Sequence, residues 1–206
     1  ISSSFLSFLS FLFLFIEITM SDRNNDFSLL VKLLNSFLKN EDIKRRLYSF
    51  VSNETNDWEK WLQIEFEHFL NKKRKYEVKR EVTAFLAPNN FPASKLSKID
   101  IIMREKDTLF EDYIFIELKC TKRSSALKRG LQADHLKLNS IQECKYPMRN
   151  SFCVGFHLYC SSSVVEEMDK YVTDTLKGSY AVFKLCECPT NRHCDCALNE
   201  IGVVLC

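Results

Sequence analysis

The chain has 206 residues, a formal net charge of +2, 46% hydrophobic residues and 17 Phe, with only 4 Gly and 4 Pro. That length and apolar content support one domain with its own core and exclude a disordered, collagen-like or linker-dominated chain. The near-neutral balance excludes a polycation, so any nucleic-acid affinity must come from local clustering of charge.

The first segment, 1–19, is almost entirely Ser, Phe and Leu. Its apolar run Phe5–Ile16 is short for a membrane span and lacks the basic flank of a signal peptide. It reads as a translated leader before a start at Met20, with a hydrophobic anchor as the alternative, and takes no part in the fold argument. No membrane partner is expected. The 9 cysteines are an odd number and fit a reducing, cytoplasmic compartment, where free cysteine is mostly a small buried hydrophobe.

From Asp26 a helical stripe runs through Phe27, Leu30, Val31, Leu34, Phe37 and Leu38, and a second short helix carries Ile43, Leu47 and Phe50. These helices make up an N-terminal section, 20–55, ahead of a main domain at 56–206. Asn56 with Glu59 three residues later forms a capping-box signal for a third helix that runs to about Asn71. Trp58, Trp61, Leu62 and Phe69 mark its apolar face. Glu65 falls on that stripe, while Glu59 and Glu67 point elsewhere. An inward carboxylate needs a partner. Glu65 therefore sits at a rim, pairs with a core basic residue, or adds an acidic group to a site.

After the basic run Lys72–Lys75, Tyr76–Leu86 alternates as a strand, and Pro88–Pro92 reads as a loop. Ile99-Asp100-Ile101-Ile102 and Phe115-Ile116-Glu117-Leu118-Lys119 follow, each placing acid inside a run otherwise fit for a buried strand. Glu117 and Lys119 are two apart and share one face of a strand. A symmetric antiparallel register of Lys98–Arg104 with Tyr113–Lys119 places Asp100 opposite Glu117. Two carboxylates and an ammonium on one patch suit a hard cation with a lysine beside it. An exposed Glu117–Lys119 pair on an edge strand is the alternative, and the apolar neighbours Tyr113–Ile116 and Leu118 argue against it.

Ser124–Gln142 reads as a helix with Leu127, Leu131, Leu138 and Ile141 on its apolar stripe, and Asp134 falls on the same stripe. Lys119, Lys122, Arg123, Lys128 and Arg129 concentrate positive charge beside the acidic patch, either as phosphate contacts or as a solvated helix face. Ser151–Cys160 reads as an apolar strand and Ser161–Lys177 as a helix ended by Gly178. Tyr180–Cys188 and Ala197–Cys206 read as a closing hairpin. Helices followed by β-β-β-α-β-α-β-β predict an α/β fold, a mixed sheet flanked by helices.

Asp100…Glu117-Leu118-Lys119, behind a helix with Glu65 and a strand, resembles the PD-(D/E)xK, or restriction-endonuclease-like, nuclease superfamily over roughly 56–185. Ile99 stands where the superfamily usually has Pro. The resemblance implies a restriction-endonuclease-like sheet, here with extra N-terminal helices and a C-terminal β-hairpin. It also implies metal-dependent hydrolysis of phosphodiester bonds in nucleic acid, with DNA as the first expectation. Asp100, Glu117 and the carbonyl of Leu118 would hold Mg²⁺ or Mn²⁺. Lys119 would orient or deprotonate the attacking water, and Glu65 would be the acidic residue of the first core helix. Asp134-His135-Leu136-Lys137-Leu138 is similar to a D-x-x-K-L run on the following helix in some branches. That adds Gln132, Asp134 and Lys137 to Lys122, Arg123, Lys128 and Arg129 as candidate contacts. The alternative is a nuclease fold that has lost catalysis and binds nucleic acid.

Cys186-Glu187-Cys188 and Cys194-Asp195-Cys196 flank a five-residue turn. In a hairpin all four sulfurs share a face, with opposed Cβ atoms ~5 Å apart. They are reduced thiols, disulfides formed after lysis, or ligands of a structural Zn²⁺, with His193 able to replace one of them. The chain has no Gly-rich phosphate loop, G-x-S-x-G or H-E-x-x-H, so ATPase, serine-hydrolase and zincin chemistries have no foothold.

Overall fold

The computed structural model describes residues 22–53, 55, 58–87, 95–108, 111–158, 160–186 and 200–206. Three helices lead the chain: α1 (22–38), α2 (Glu41–Ser52) and α3 (Glu59–Lys72). The strands β1 (Tyr76–Leu86), β2 (Lys95–Glu105) and β3 (Tyr113–Thr121) follow, then α4 (Ser124–Asn139), β4 (Ile141–Cys144) and β5 (Met148–His157). α5 (Ser162–Tyr171) and a π-helical turn at Val172–Leu176 precede β6 (Ser179–Lys184) and β7 (Glu200–Leu205).

The sheet has seven strands in the order β4-β1-β2-β3-β5-β7-β6. β1, β2 and β3 form an antiparallel meander, β5 lies parallel to β3, and β5, β7 and β6 pair antiparallel. The protein is therefore α/β, a mixed sheet between two helical layers. Strand alternation sorts the core. Ile101, Met103, Ile114, Ile116 and Leu118 join α1–α3 in one cluster. Ile102, Tyr113, Phe115 and Cys153 join Leu127 and Leu131 of α4 and Met168 of α5 in the other. At ~25 cal/mol per Å² of apolar surface removed from water, each such buried aliphatic side chain contributes about 2 kcal/mol.

Local chemistry fixes several boundaries. Asn40 Oδ1 caps α2 by accepting from the main-chain N–H groups of Asp42 (3.0 Å) and Ile43 (3.3 Å). Buried Asp26 accepts from Arg149 (2.9 and 2.7 Å) and from Asn150 (2.6 Å), tying α1 to the start of β5. Three expectations change. The helix predicted through Gln142 stops at Asn139, and Ile141–Cys144 becomes the edge strand β4 beside β1. The helix expected through Lys177 loses its α geometry at Val172, and Lys177, not Gly178, takes the left-handed conformation at its end (φ 53°). The Asn56 cap and the Pro88–Pro92 loop lie outside the described residues. Among the described residues no helix is long and apolar enough to cross a membrane.

Candidate active site

The ladder between β2 and β3 pairs Ile101 with Ile116, Ile102 with Phe115 and Met103 with Ile114. One further step in that register sets Asp100 level with Glu117, as the symmetric hairpin predicts. Beyond the paired positions the Asp100 side chain supplies the acceptor: its Oδ2 takes the main-chain N–H of Leu118 at 2.8 Å. Alternation puts Glu117 and Lys119 on the face of β3 that carries Tyr113 and Phe115 and looks toward α4.

Glu117 is only 3% exposed. Its Oε2 accepts from Lys137 Nζ of α4 at 2.7 Å, and its Oε1 is buried without a hydrogen-bond partner. Burial and then the neighbouring Asp100 charge push its carboxyl up to about 8. Burial also raises Asp100, against the pull of the Leu118 N–H. Asp134, also on α4, has a buried Oδ2 without a partner, and burial lifts it to about 6.

Lys119 lies across from an acid that the apolar stripe of Trp58, Trp61, Leu62 and Phe69 turns elsewhere. Glu59, in the first turn of α3, has Oε2 at 3.1 Å from Lys119 Nζ, and the same oxygen accepts the Cys120 N–H at 2.9 Å. Burial works against the Lys119 charge, but Glu59 outweighs it and the ammonium is held above its usual range. Glu65 is the corresponding correction. It pairs with Arg46 of α2 at 2.8 Å and faces the cleft between α2 and α3, not Asp100. The reason is helix phase. The residues of α3 that bury are Leu62, Gln63, Phe66 and Leu70. At about 100° per residue, Glu59 falls in the middle of that face and Glu65 on its flank with Trp58 and Trp61.

Two further groups had no sequence signal. Glu81 of β1 sits level with Asp100, between the paired positions Arg80–Ile101 and Val82–Ile99, and its backbone is left-handed (φ 56°). A non-glycine residue held there costs roughly 1–3 kcal/mol and persists only where its surroundings hold it. Here its carboxylate is held by Lys60 of α3, which also donates to Gln63 at 3.1 Å.

The proposed nucleic-acid contacts divide. Arg123, Arg129 and Gln132 are exposed on or beside α4, and Lys122 is half-buried. Lys128 pairs with Glu167 at 2.6 Å and lies over the Tyr171 ring, and Lys137 is taken by Glu117. Of the cysteine hairpin, Cys188, Cys194 and Cys196, with His193, lie outside the described residues, and Cys186 is partly exposed just beyond β6.

Among the described residues no three His, Cys, Asp or Glu side chains are grouped to hold an ion. The set here is smaller: the Asp100 and Glu117 carboxylates with the Leu118 carbonyl. The orphaned Glu117 Oε1 and the all-oxygen donor set fit Mg²⁺ or Mn²⁺, which bind through one or two carboxylates and keep several waters.

Two expected results follow. A Cβ built on Gly130 of α4 would lie 2.8 Å from Lys119 Cγ and 2.9 Å from Cδ, so Gly130 is the floor on which the lysine stem rests. Gly130→Ala should push Lys119 away from Glu59 and lower any activity that uses Lys119, leaving the melting temperature nearly unchanged. Rate and melting measured on one preparation check this. The second concerns pH. Glu117 is raised from 4.5 to about 8 on folding, so the folded state holds that proton more tightly than the unfolded chain. Its contribution to stability is complete below pH 4.5 and is lost as pH rises through about 8. Thermal melting should fall across that window, Glu117→Gln should flatten the upper part, and Mg²⁺ should oppose the fall by favouring the ionised carboxylate.

No family model, curated protein or solved structure matches the chain.

Proposed function

We propose that this chain is a metal-dependent nuclease of the restriction-endonuclease-like type, acting on phosphodiester bonds with DNA as the first expected substrate. The observation that carries the reading is the pair Asp100 and Glu117 on adjacent strands, with Glu117 buried, its Oε1 unpartnered, and Lys119 two residues on. The order α3-β1-β2-β3-α4-β5, an antiparallel meander with β5 parallel to β3, supports it, because that arrangement is the core the motif implies.

In this reading Asp100, Glu117 and the Leu118 carbonyl hold Mg²⁺ or Mn²⁺. Such an ion, when bound, makes water a better nucleophile near neutral pH and offsets charge on the phosphate. The protein groups do the rest. Glu59 fixes the Lys119 ammonium at the end of β3, where it donates to the attacking water or to a phosphate oxygen. Lys137 and Asp134 set the charge balance around Glu117. Arg123 and Arg129 offer phosphate contacts without sequence readout.

The Lys137–Glu117 pair favours one second reading, a binding module without catalysis, since a lysine already balances one proposed ligand. Incubation with plasmid, single-stranded DNA and RNA in Mg²⁺, Mn²⁺ or EDTA separates the two. Cleavage with either ion and none in EDTA supports the nuclease. Retention of nucleic acid with no cleavage under any ion supports the module.

A further inference from the structure

Cys153 of β5 and Cys206, just after β7, extend the antiparallel ladder by one step and exchange both main-chain hydrogen bonds, at 2.8 and 3.0 Å. In such a hydrogen-bonded pair the Cα atoms are ~5.5 Å apart, within the range a disulfide spans. Both side chains belong to the cluster under α4 and α5. His135 of α4 adds a third group, its Nε2 at 3.2 Å from Cys206 Sγ. His135 is half-buried and lines an open cavity of about 510 Å³ with Gln132, Leu136, Asn139, Thr175 and Leu176. Cys206 itself is buried behind His135 and does not line that cavity, so a bulky oxidant is excluded.

We infer that Cys153, Cys206 and His135 form a peroxide-reactive thiol pair, with Cys206 as the attacking sulfur, His135 as its proton partner and Cys153 as the resolving thiol. The hydrogen bond from Cys153 and then the bond and charge of His135 hold the Cys206 thiol below its ordinary range, against burial, which favours the thiolate. Two other thiols are quiet: burial pushes Cys160 up to about 11 and Cys120 well above its ordinary value.

The Cys206 sulfur attacks one peroxide oxygen and the O–O bond breaks. Cys206 becomes a sulfenic acid, and the departing hydroxide takes the proton held at His135 and leaves as water. The Cys153 sulfur then attacks the sulfenic sulfur. The S–O bond breaks, a second water leaves with the Cys153 proton, and an S–S bond forms. Two thiols and one peroxide give one disulfide and two waters, the sulfurs supplying the two electrons. This activity uses neither Asp100 nor Lys119, although Cys153 lies level with Glu117 on the neighbouring strand.

The test treats the full, reduced chain with limiting hydrogen peroxide, quenches with acid, alkylates and maps peptides by mass. The expected product is a Cys153–Cys206 cross-linked peptide, with Cys120 and Cys160 still alkylated. Cys153→Ser should leave a Cys206 sulfenic acid that dimedone traps. His135→Asn should slow peroxide consumption about tenfold or more, as the thiolate fraction falls. If wild-type Cys206 stays alkylated at a peroxide dose that oxidises Cys160, the proposal fails. Equal rates for His135→Asn and the wild type would also overturn it.

Discussion

Lys119→Ala should abolish metal-dependent cleavage, with a single-turnover rate about 10³-fold below wild type, while the protein stays folded. In the proposed mechanism the lysine donates to the attacking water or to a phosphate oxygen, and removing a preorganised donor to a developing charge typically costs 10²–10³ or more in rate. Stability should change little. Glu59 keeps its bond from the Cys120 N–H, and a pair this exposed contributes at most about 1 kcal/mol. Single-turnover kinetics beside circular dichroism separate the two effects. A Lys119→Ala protein that cuts as fast as wild type would assign the activity to another site or to a contaminant.

Gly202→Ala should be strongly destabilising for so small a substitution. In β7, Gly202 lies beside His157 of β5, whose Nε2 is hydrogen-bonded to the Tyr180 hydroxyl at 3.0 Å and whose ring stacks on Tyr180 at 4° between planes. A Cβ on Gly202 would lie 2.1 Å from His157 Nε2 and 2.6 Å from Tyr180 Oη. His157 is fully buried and cannot move aside, because its Nδ1 is also bound to the Leu158 carbonyl at 2.7 Å. Overpacking of this kind plus a lost buried hydrogen bond costs about 3 kcal/mol, roughly 10 °C of melting temperature for a domain of this size. Thermal denaturation reads it directly, and the acidic site, on the far side of β5, should keep its metal dependence.

The parts of the site that the sequence makes legible are those set by a period of two. Glu117 and Lys119 share a face because a strand alternates, and Asp100 meets Glu117 because a symmetric hairpin has one natural register. Helix phase is less forgiving. On α3 the two tryptophans and Phe69 outweighed Phe66 and Leu70 in defining an apolar stripe. A stripe drawn through them is turned by about a third of a revolution from the buried face, and it favours Glu65 over Glu59. Trp61 and Phe69 do pack, but against Phe50 of α2 and Phe37 of α1, which is the helix–helix side.

Glu81 leaves no trace in the sequence, because its left-handed backbone is imposed by tertiary contacts and has no Gly or Asn to announce it. β4 was absorbed into the preceding helix, since a four-residue edge strand carries too few residues to show a period of its own. The cation cluster on α4 was visible as composition, but which lysines are bound within the fold was not. Lys128 and Lys137 find Glu167 and Glu117, 39 and 20 residues away in the chain.

The proposed nuclease requires Asp100 and Glu117 to share a divalent cation. Calorimetric titration of Mg²⁺ or Mn²⁺ into the wild-type chain near pH 8 tests it most directly. Expected are one ion per chain, affinity that falls as pH drops and the proton returns to Glu117, and loss of binding in both Asp100→Asn and Glu117→Gln. An ion bound with unchanged affinity in Asp100→Asn and Glu117→Gln, or no ion bound by the wild type, would contradict it.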